Sequence, residues 1–166
     1  MSALKALNIL LVDDNQHMRV ITSAILQSAG VRMIREVNDG SAAFEHLRQY
    51  PVDLAIVDFN MAPMDGVEFT RLVRNSPNSP NSYLPIIMMT GHSEKNRVME
   101  ARDVGVTEFV VKPITPKAIL DRIQAIIMRP RPFIKSVHYF GPDRRRGTSA
   151  SYSGPMRRGT DRSVEV

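Results

Sequence analysis

The sequence predicts an α/β domain in which five parallel strands form one sheet in the order 2-1-3-4-5, with helices on both faces. Two observations support this fold class: five short apolar runs alternate with five amphipathic segments, and the connections between them are short. Each parallel connection needs a crossover, normally a helix, and such crossovers are almost always right-handed. This doubly wound order suits five units and places a crevice between the first and third strands, where sheets of this kind bind ligands.

Five apolar runs predict the strands, because strands buried on both faces are nearly continuous in Val, Ile, Leu and Ala. Asn, Asp, Gly or Pro follows each run within two positions, and these residues are common in turns. The predicted strands cover residues 8–12, 31–37, 53–58, 84–90 and 107–111.

Apolar residues at helical spacing predict a helix after each strand. The first helix is expected to bury one face and to end at Gly30, and the fourth, thin in large apolar residues, to end at Gly105. The predicted apolar positions are Met18, Ile21, Ile25 and Ala29; Ala43, Phe44 and Leu47; Val67, Phe69, Leu72 and Val73; Val98, Met99 and Val104; and Ile119, Ile123, Ile126 and Ile127.

Turn residues complete the pattern. Asp39 is placed to cap the second helix, and Asp65-Gly66 opens the third. Residues 75–82, Asn-Ser-Pro-Asn-Ser-Pro-Asn-Ser, are too polar and repetitive to pack, so we expect an exposed loop.

Composition narrows the class of protein. The 166 residues contain no cysteine, which excludes disulfides and thiolate metal sites. No apolar run approaches the roughly 18 to 20 residues that cross a membrane. Residues 1–7 are too short and too weakly apolar for a secretory signal, so we expect a cytoplasmic protein.

Charge and composition change sharply near residue 129. Residues 1–128 carry 13 Lys and Arg against 14 Asp and Glu, whereas residues 129–166 carry 9 against 3. We therefore expect one folded domain over 1–128 and a basic tail rich in Pro, Gly, Ser and Arg over 129–166. Residues 133–140 hold enough apolar surface to dock as an extended segment, and the composition from Gly141 onward is typical of disorder.

Carboxylates end the first and third predicted strands. Asp58 alone is equally compatible with a strand cap facing water and with a functional group. Asp13 and Asp14 follow the first strand and reach the same sheet edge, although the pair is also placed to cap the first helix. Three converging carboxylates repel one another, and a hard divalent cation such as Mg²⁺ offsets that repulsion.

The fourth and fifth strands bring a hydroxyl, Thr90, and a cation, Lys112, to the same edge. Taken singly, Thr90 is compatible with an ordinary strand end and Lys112 with a solvated lysine. Their joint placement around Asp58 favours a site that receives a phosphoryl group, with donors for oxygens that carry charge in the transition state. Asp58 is the candidate nucleophile, because aspartyl phosphates are an established type of covalent intermediate.

These residues, together with Met64-Asp65-Gly66 and Lys112-Pro113, resemble the receiver domain of bacterial two-component response regulators. The resemblance covers about residues 6–128 and implies a flavodoxin-like fold of the CheY type. It also implies phosphorylation of Asp58, phosphoryl contacts from Thr90 and Lys112, and Mg²⁺ or Mn²⁺ held by Asp13, Asp14, Asp58 and the backbone carbonyl of Asn60.

Two further roles follow from the resemblance. Phe109 matches the family's switching aromatic, partnered by Thr90, and His92 lies at a variable position that influences how long the phosphoryl group survives. The sequence departs from many relatives at Met61-Ala62-Pro63, where the proline is shifted by one position.

By this resemblance the chain is a single-domain response regulator that catalyses its own phosphorylation and dephosphorylation without being a conventional enzyme. The expected partners are a histidine kinase or histidine phosphotransfer protein and a downstream protein target, with a phosphorylation-dependent dimer left open. No DNA-binding domain or transmembrane segment is expected. Two alternatives also stay open: a tail whose arginine clusters bind nucleic acid or an anionic membrane, and a scaffold that works without phosphorylation. The segment Tyr139–Arg146 is interpreted as a recognition segment for the partner.

Overall fold

The computed structural model of the chain describes residues 2–91, 97–136 and 138–144, and the backbone of residues 162–164. Five parallel strands form the main sheet in the order β2-β1-β3-β4-β5, which confirms the predicted fold class and strand order. The strands are β1 (Asn8–Val12), β2 (Met33–Val37), β3 (Leu54–Asp58), β4 (Ile86–Thr90) and β5 (Glu108–Val111). The helices are α1 (Ser2–Lys5), α2 (Gln16–Ser28), α3 (Gly40–Gln49), α4 (Gly66–Asn75), α5 (Val98–Val104) and α6 (Pro116–Met128).

The sheet is buried on both faces, as expected for parallel strands. Neighbouring residues Leu10 and Leu11 of β1 are both fully buried but belong to different clusters, because successive side chains point to opposite faces. The cluster around Leu11 contains residues of α2 and α6, and the cluster around Leu10 contains residues of α3 and α4. The register is parallel throughout, so the carboxyl ends of the strands meet at one edge.

The buried face of α2 differs from the prediction. Thr22, Ser23 and Leu26 are its buried residues, whereas Ile21 is 38% exposed and Val20 is also exposed. Two of the three buried positions of this helix hold small hydroxyl side chains, so apolar periodicity alone predicted the wrong residue, Ile21.

Turn and cap residues are where the sequence predicted them. Gly30 and Gly105 follow the ends of α2 and α5 with φ values of 110° and 105°, a left-handed conformation that favours glycine. Asp39 caps α3, and Asp65 caps α4 in a capping box with Glu68. The insert at residues 75–82 is largely exposed, as predicted.

The described part of the tail packs at the opposite edge of the sheet. Strand β6 (Phe133–Lys135) pairs antiparallel with β7 (Phe140–Pro142) and with β8 (Arg162–Val164). The Phe133 ring lies 5.0 Å from that of Tyr83, which precedes β4. Because β7 includes Gly141 and Pro142 and Asp143 is buried, the expectation of disorder from Gly141 is wrong for these residues. Residues 145–161 and 165–166 lie outside the described residues.

Arg74 of α4 is buried where the tail meets the domain. Its guanidinium donates to the carbonyls of Gly105 and Ser82, each at 3.0 Å, and lies 5.0 Å from the centre of the Phe133 ring. Burial lowers the pKa of Arg74 to about 9. The side chain therefore joins α4, two loops and the tail through charged hydrogen bonds to neutral acceptors.

We predict that Arg74→Met lowers the free energy of unfolding by about 1–3 kcal/mol, because buried carbonyls lose their donors. Arg71→Met is the matched control, since Arg71 is exposed on the same helix and should change stability by less than about 0.5 kcal/mol. Urea denaturation followed by circular dichroism measures both. Equal stability of the two variants would contradict the anchoring role of Arg74.

Candidate functional site

The candidate site lies at the carboxyl edge of the main sheet. Asp13 follows β1, Asp58 and Thr90 end β3 and β4, and Lys112 follows β5. Asp13, Asp58 and Thr90 are no more than 3% exposed, whereas Asp14 is exposed. The strand order brings the four strand ends together, and Asp58 on the central strand lies among them.

Three carboxylates form one cluster at this edge. One oxygen from each of Asp13, Asp14 and Asp58 lies within 4.8 Å of the others. Hard oxygen ligands with concentrated negative charge are those that Mg²⁺ prefers. The donor set therefore fits a magnesium ion, with Asp14 on the solvent side and the other two carboxylates below it.

The acidic pair after β1 does not cap the helix that follows. The N-cap of α2 is Asn15, whose side chain accepts a hydrogen bond of 3.1 Å from the amide of Met18. Asp13 instead accepts from the amide of Asn15 at 2.9 Å through Oδ1. The alternative that Asp13 or Asp14 serves as the helix cap is thus excluded.

Lys112 is the cation that faces Asp58. Its Nζ lies 2.5 Å from Asp58 Oδ1, and its backbone amide donates to the Thr90 carbonyl at 2.7 Å. The pKa of Asp58 is raised from 3.8 to about 6 as the net result of opposing effects: burial raises it most, the hydrogen bond from Lys112 lowers it, and the charge of Asp13 raises it. Asp58 is thus a buried carboxylate whose negative charge is partly balanced by the ammonium group of Lys112.

The loop after Asp58 packs tightly against the strand that precedes it. The amide of Gly66 donates to the Phe59 carbonyl at 3.0 Å, and a Cβ at position 66 would lie 2.7 Å from the Asp58 carbonyl oxygen. This close approach explains the glycine of Met64-Asp65-Gly66. The peptide bonds Ala62–Pro63 and Lys112–Pro113 are both cis.

Arg97 is a residue at the rim of the site that the sequence did not single out. Its guanidinium lies 4.6 Å from the centre of the Phe59 ring and 3.3 Å from an Asp65 oxygen. Arg97 therefore bridges the loop after β4 and the loop after β3. An arginine seven positions beyond Thr90 carries no signal in one sequence, because its partners come from another loop.

Phe109 is partly buried and packs on the cluster formed by Phe59, Val67, Met88, Ala101 and Val106. Its strand neighbour in β4 is Met88, two residues before Thr90. Asn60, whose backbone carbonyl is a predicted metal ligand, is an exposed residue two positions after Asp58. His92, predicted to influence phosphoryl lifetime, lies outside the described residues.

We predict that Asp58→Asn stabilises the folded protein in metal-free buffer at neutral pH. A folded-state pKa of about 6 against the ordinary 3.8 means that the ionised carboxylate is disfavoured by folding. The difference corresponds to roughly 3 kcal/mol, which already includes the attraction of Lys112, so we expect a gain of at most about 3 kcal/mol. The gain should be complete above the folded-state pKa of about 6, should shrink as the pH falls between about 6 and 3.8, and should vanish below 3.8, where Asp58 is protonated in both states.

Urea denaturation with EDTA at several pH values tests this expectation. Asp39→Asn is the control, because asparagine caps helices as well as aspartate does, and its stability should stay within about 0.5 kcal/mol of the parent protein. A loss of stability in Asp58→Asn at pH 7 would show that the pairing with Lys112 outweighs the cost of burial.

Comparisons with known proteins agree with this arrangement. Residues 9–124 match the response regulator receiver domain. The chemotaxis protein CheY of Pseudomonas aeruginosa is 32% identical over 123 residues, which cover 74% of this chain and 98% of CheY. The CAI-1 autoinducer sensor kinase/phosphatase CqsS of Vibrio cholerae is 34% identical over 117 residues, which cover 70% of this chain but only 17% of that kinase.

A solved structure shows the same likeness. The receiver domain of the sensor histidine kinase PA1611 from Pseudomonas aeruginosa superposes with a TM-score of 0.65 at 25% identity, covering 74% of this chain and 98% of that one. That crystal structure has a magnesium ion coordinated in its active site cleft. Because the family match spans most of the main sheet and its helices, and CheY is matched along almost its whole length, this chain belongs to the response regulator receiver domains of two-component signalling.

Proposed function

We propose that Asp58 accepts a phosphoryl group from a histidine kinase or a histidine phosphotransfer protein, and that the chain signals through a phosphorylation-dependent protein contact. The observation that supports this most is the buried Asp58 carboxylate with the Lys112 ammonium group 2.5 Å away and two further carboxylates within 4.8 Å. A carboxylate oxygen of Asp58 attacks phosphorus, the P–N bond to the donor imidazole breaks, and the imidazole leaves as a neutral ring after taking up a proton. The product is a mixed anhydride on Asp58.

Asp13, Asp14, Asp58 and the backbone carbonyl of Asn60 would hold a magnesium ion. Bound there, the ion would supply positive charge that offsets the charge of the entering phosphoryl group. The acidic cluster supports this assignment, and so does the magnesium in the related PA1611 receiver. The described residues include no helix long and apolar enough to cross a membrane.

Lys112 and Thr90 bind the phosphoryl oxygens in this proposal. Lys112 exchanges its contact with Asp58 for one with the new phosphoryl group, and the Thr90 hydroxyl donates from the neighbouring strand end. As Thr90 moves toward the phosphoryl group, Phe109 turns inward into the space that becomes free. The face made by α5, β5 and α6 then changes for the downstream partner. His92, two positions after Thr90 in the sequence, adjusts the lifetime of the phosphoryl group in this proposal.

We predict that Asp58→Asn abolishes labelling of the protein by acetyl phosphate in the presence of Mg²⁺, because an amide is not a nucleophile for phosphorus. Label on the parent protein should be released by hydroxylamine, as expected for an acyl phosphate. Asp39→Asn, which removes a carboxylate that caps α3 and is not part of the acidic cluster, should label like the parent protein. Retained label on Asp58→Asn that resists hydroxylamine and acid would move the acceptor to another residue.

We also predict that Asp14→Asn weakens Mg²⁺ binding by about ten-fold or more, since the ion loses one of its charged ligands. Asp53→Asn is the matched control, because Asp53 lies at the start of β3 and bonds to the Asn8 amide. Isothermal titration calorimetry with magnesium chloride measures both affinities. Unchanged affinity in Asp14→Asn would place the metal elsewhere.

A further inference from the structure

The described tail residues 129–136 and 138–144, here named the clasp, contact both α5 and β5. We propose that the clasp holds α5 against β5 and thereby opposes phosphorylation of Asp58. The first half of this proposal stands on the structure of the tail, and the second half rests on the proposed function. The interpretation of Tyr139–Arg146 as a recognition segment for the partner stays a separate prediction, and its residues 145 and 146 lie outside the described residues.

On the α5 side, the clasp contacts the C-terminal end of the helix. Arg144 Nη1 lies 2.7 Å from Asp103 Oδ1, and its guanidinium lies 4.5 Å from the centre of the Tyr139 ring. The Tyr139 hydroxyl in turn donates to the Pro142 carbonyl at 2.7 Å. Two contacts therefore hold Arg144 in place: the ion pair with Asp103 of α5 and the stacking of its guanidinium on the buried Tyr139 ring. The stacking matters because an exposed ion pair alone contributes little.

The backbones also meet at this point. A Cβ added to Gly141 would lie 2.8 Å from the Cα of Gly105 and 2.6 Å from the Tyr139 hydroxyl oxygen. Only a glycine lets β7 approach the end of α5 so closely. The motif Tyr-Phe-Gly-Pro-Asp-Arg at residues 139–144 is therefore explained by contacts within the chain.

On the β5 side, the clasp contacts the residue before Phe109. Arg131 Nη2 lies 3.3 Å from an oxygen of the buried Glu108. Arg122 of α6 approaches the other Glu108 oxygen at 4.0 Å and donates to the Phe109 carbonyl at 2.9 Å. The clasp and α6 thus fix the backbone of β5 where the switching aromatic is attached.

Phe109 packs with Ala101 of α5 in one cluster, so α5 and β5 must shift relative to each other when the ring turns inward. The clasp binds both elements in the arrangement that leaves Phe109 partly exposed. It stabilises that arrangement and disfavours the shifted one. By thermodynamic linkage, loosening the clasp tightens ligand binding at Asp58, and ligand binding loosens the clasp.

The test uses the full chain with Arg144→Ala, Asp103→Ala and, as the control, Arg48→Ala. Arg48 forms an exposed ion pair with Glu45 on α3, away from the clasp. Two quantities are measured: amide hydrogen exchange of residues 98–104, and the affinity for beryllofluoride with Mg²⁺, a phosphoryl mimic. We expect Arg144→Ala and Asp103→Ala to speed exchange in α5 and to raise beryllofluoride affinity, each by about five-fold, and Arg48→Ala to change neither.

Each outcome has a separate meaning. Unchanged exchange in α5 for both clasp variants would overturn the clasp itself. Faster exchange with beryllofluoride affinity unchanged within about two-fold would overturn its control of Asp58. A parent protein that binds no beryllofluoride would instead count against the proposed function and the second half of the proposal, while the exchange data would still decide the first half.

Discussion

The main constraint on this structure is that the negative charge of the Asp58 carboxylate lies in a buried place beside two other carboxylates. Burial and the neighbouring acids disfavour that charge, and Lys112 offsets the penalty from the far side. The lysine reaches Asp58 because its amide is bonded to Thr90 at the end of β4, so the register of two neighbouring strands sets its position. Gly66 lets the following loop fold back onto the same strand end.

The edge of the sheet that carries the site could be predicted from the sequence, because parallel strands bring their carboxyl ends together and each end carries a distinct chemical group. The alternation of strands and helices predicts a parallel doubly wound sheet, and the number of units favours the order 2-1-3-4-5 among the common orders of that class. The buried face of α2 could not be predicted, since Thr22 and Ser23 lie inward on account of their size while Ile21 stays exposed. Arg97 and Arg74 were missed for a related reason. Each binds groups that lie far away in the chain, and a lone arginine gives no sign of its partners.

The two edges of the main sheet have different roles in this chain. The carboxyl edge collects the charged groups, and the amino edge receives the tail through Arg74, Tyr83 and Phe133. A glycine-, proline- and arginine-rich composition suggested disorder from Gly141, yet Gly141 is the residue that lets β7 lie against Gly105. Composition measures the average behaviour of a segment, whereas docking depends on a few contacts with a surface that already exists. Strand β5 extends between the edges, with Glu108 near the tail and Lys112 just beyond its other end.

Asn15 caps α2, so neither Asp13 nor Asp14 has to serve both as a helix cap and as a candidate metal ligand. Aspartate caps helices as well as asparagine does, so an acidic residue at the start of α2 could have served as its N-cap. With Asn15 bonded to Met18, the carboxylates of Asp13 and Asp14 are not held by the first turn of the helix. Across evolution, position 15 should then accept serine, threonine or aspartate, residues chosen for their fit to a helix end. If Asp13 and Asp14 hold a magnesium ion as proposed, positions 13 and 14 should accept only residues with hard oxygen ligands, and neighbouring positions of one loop would vary for different reasons.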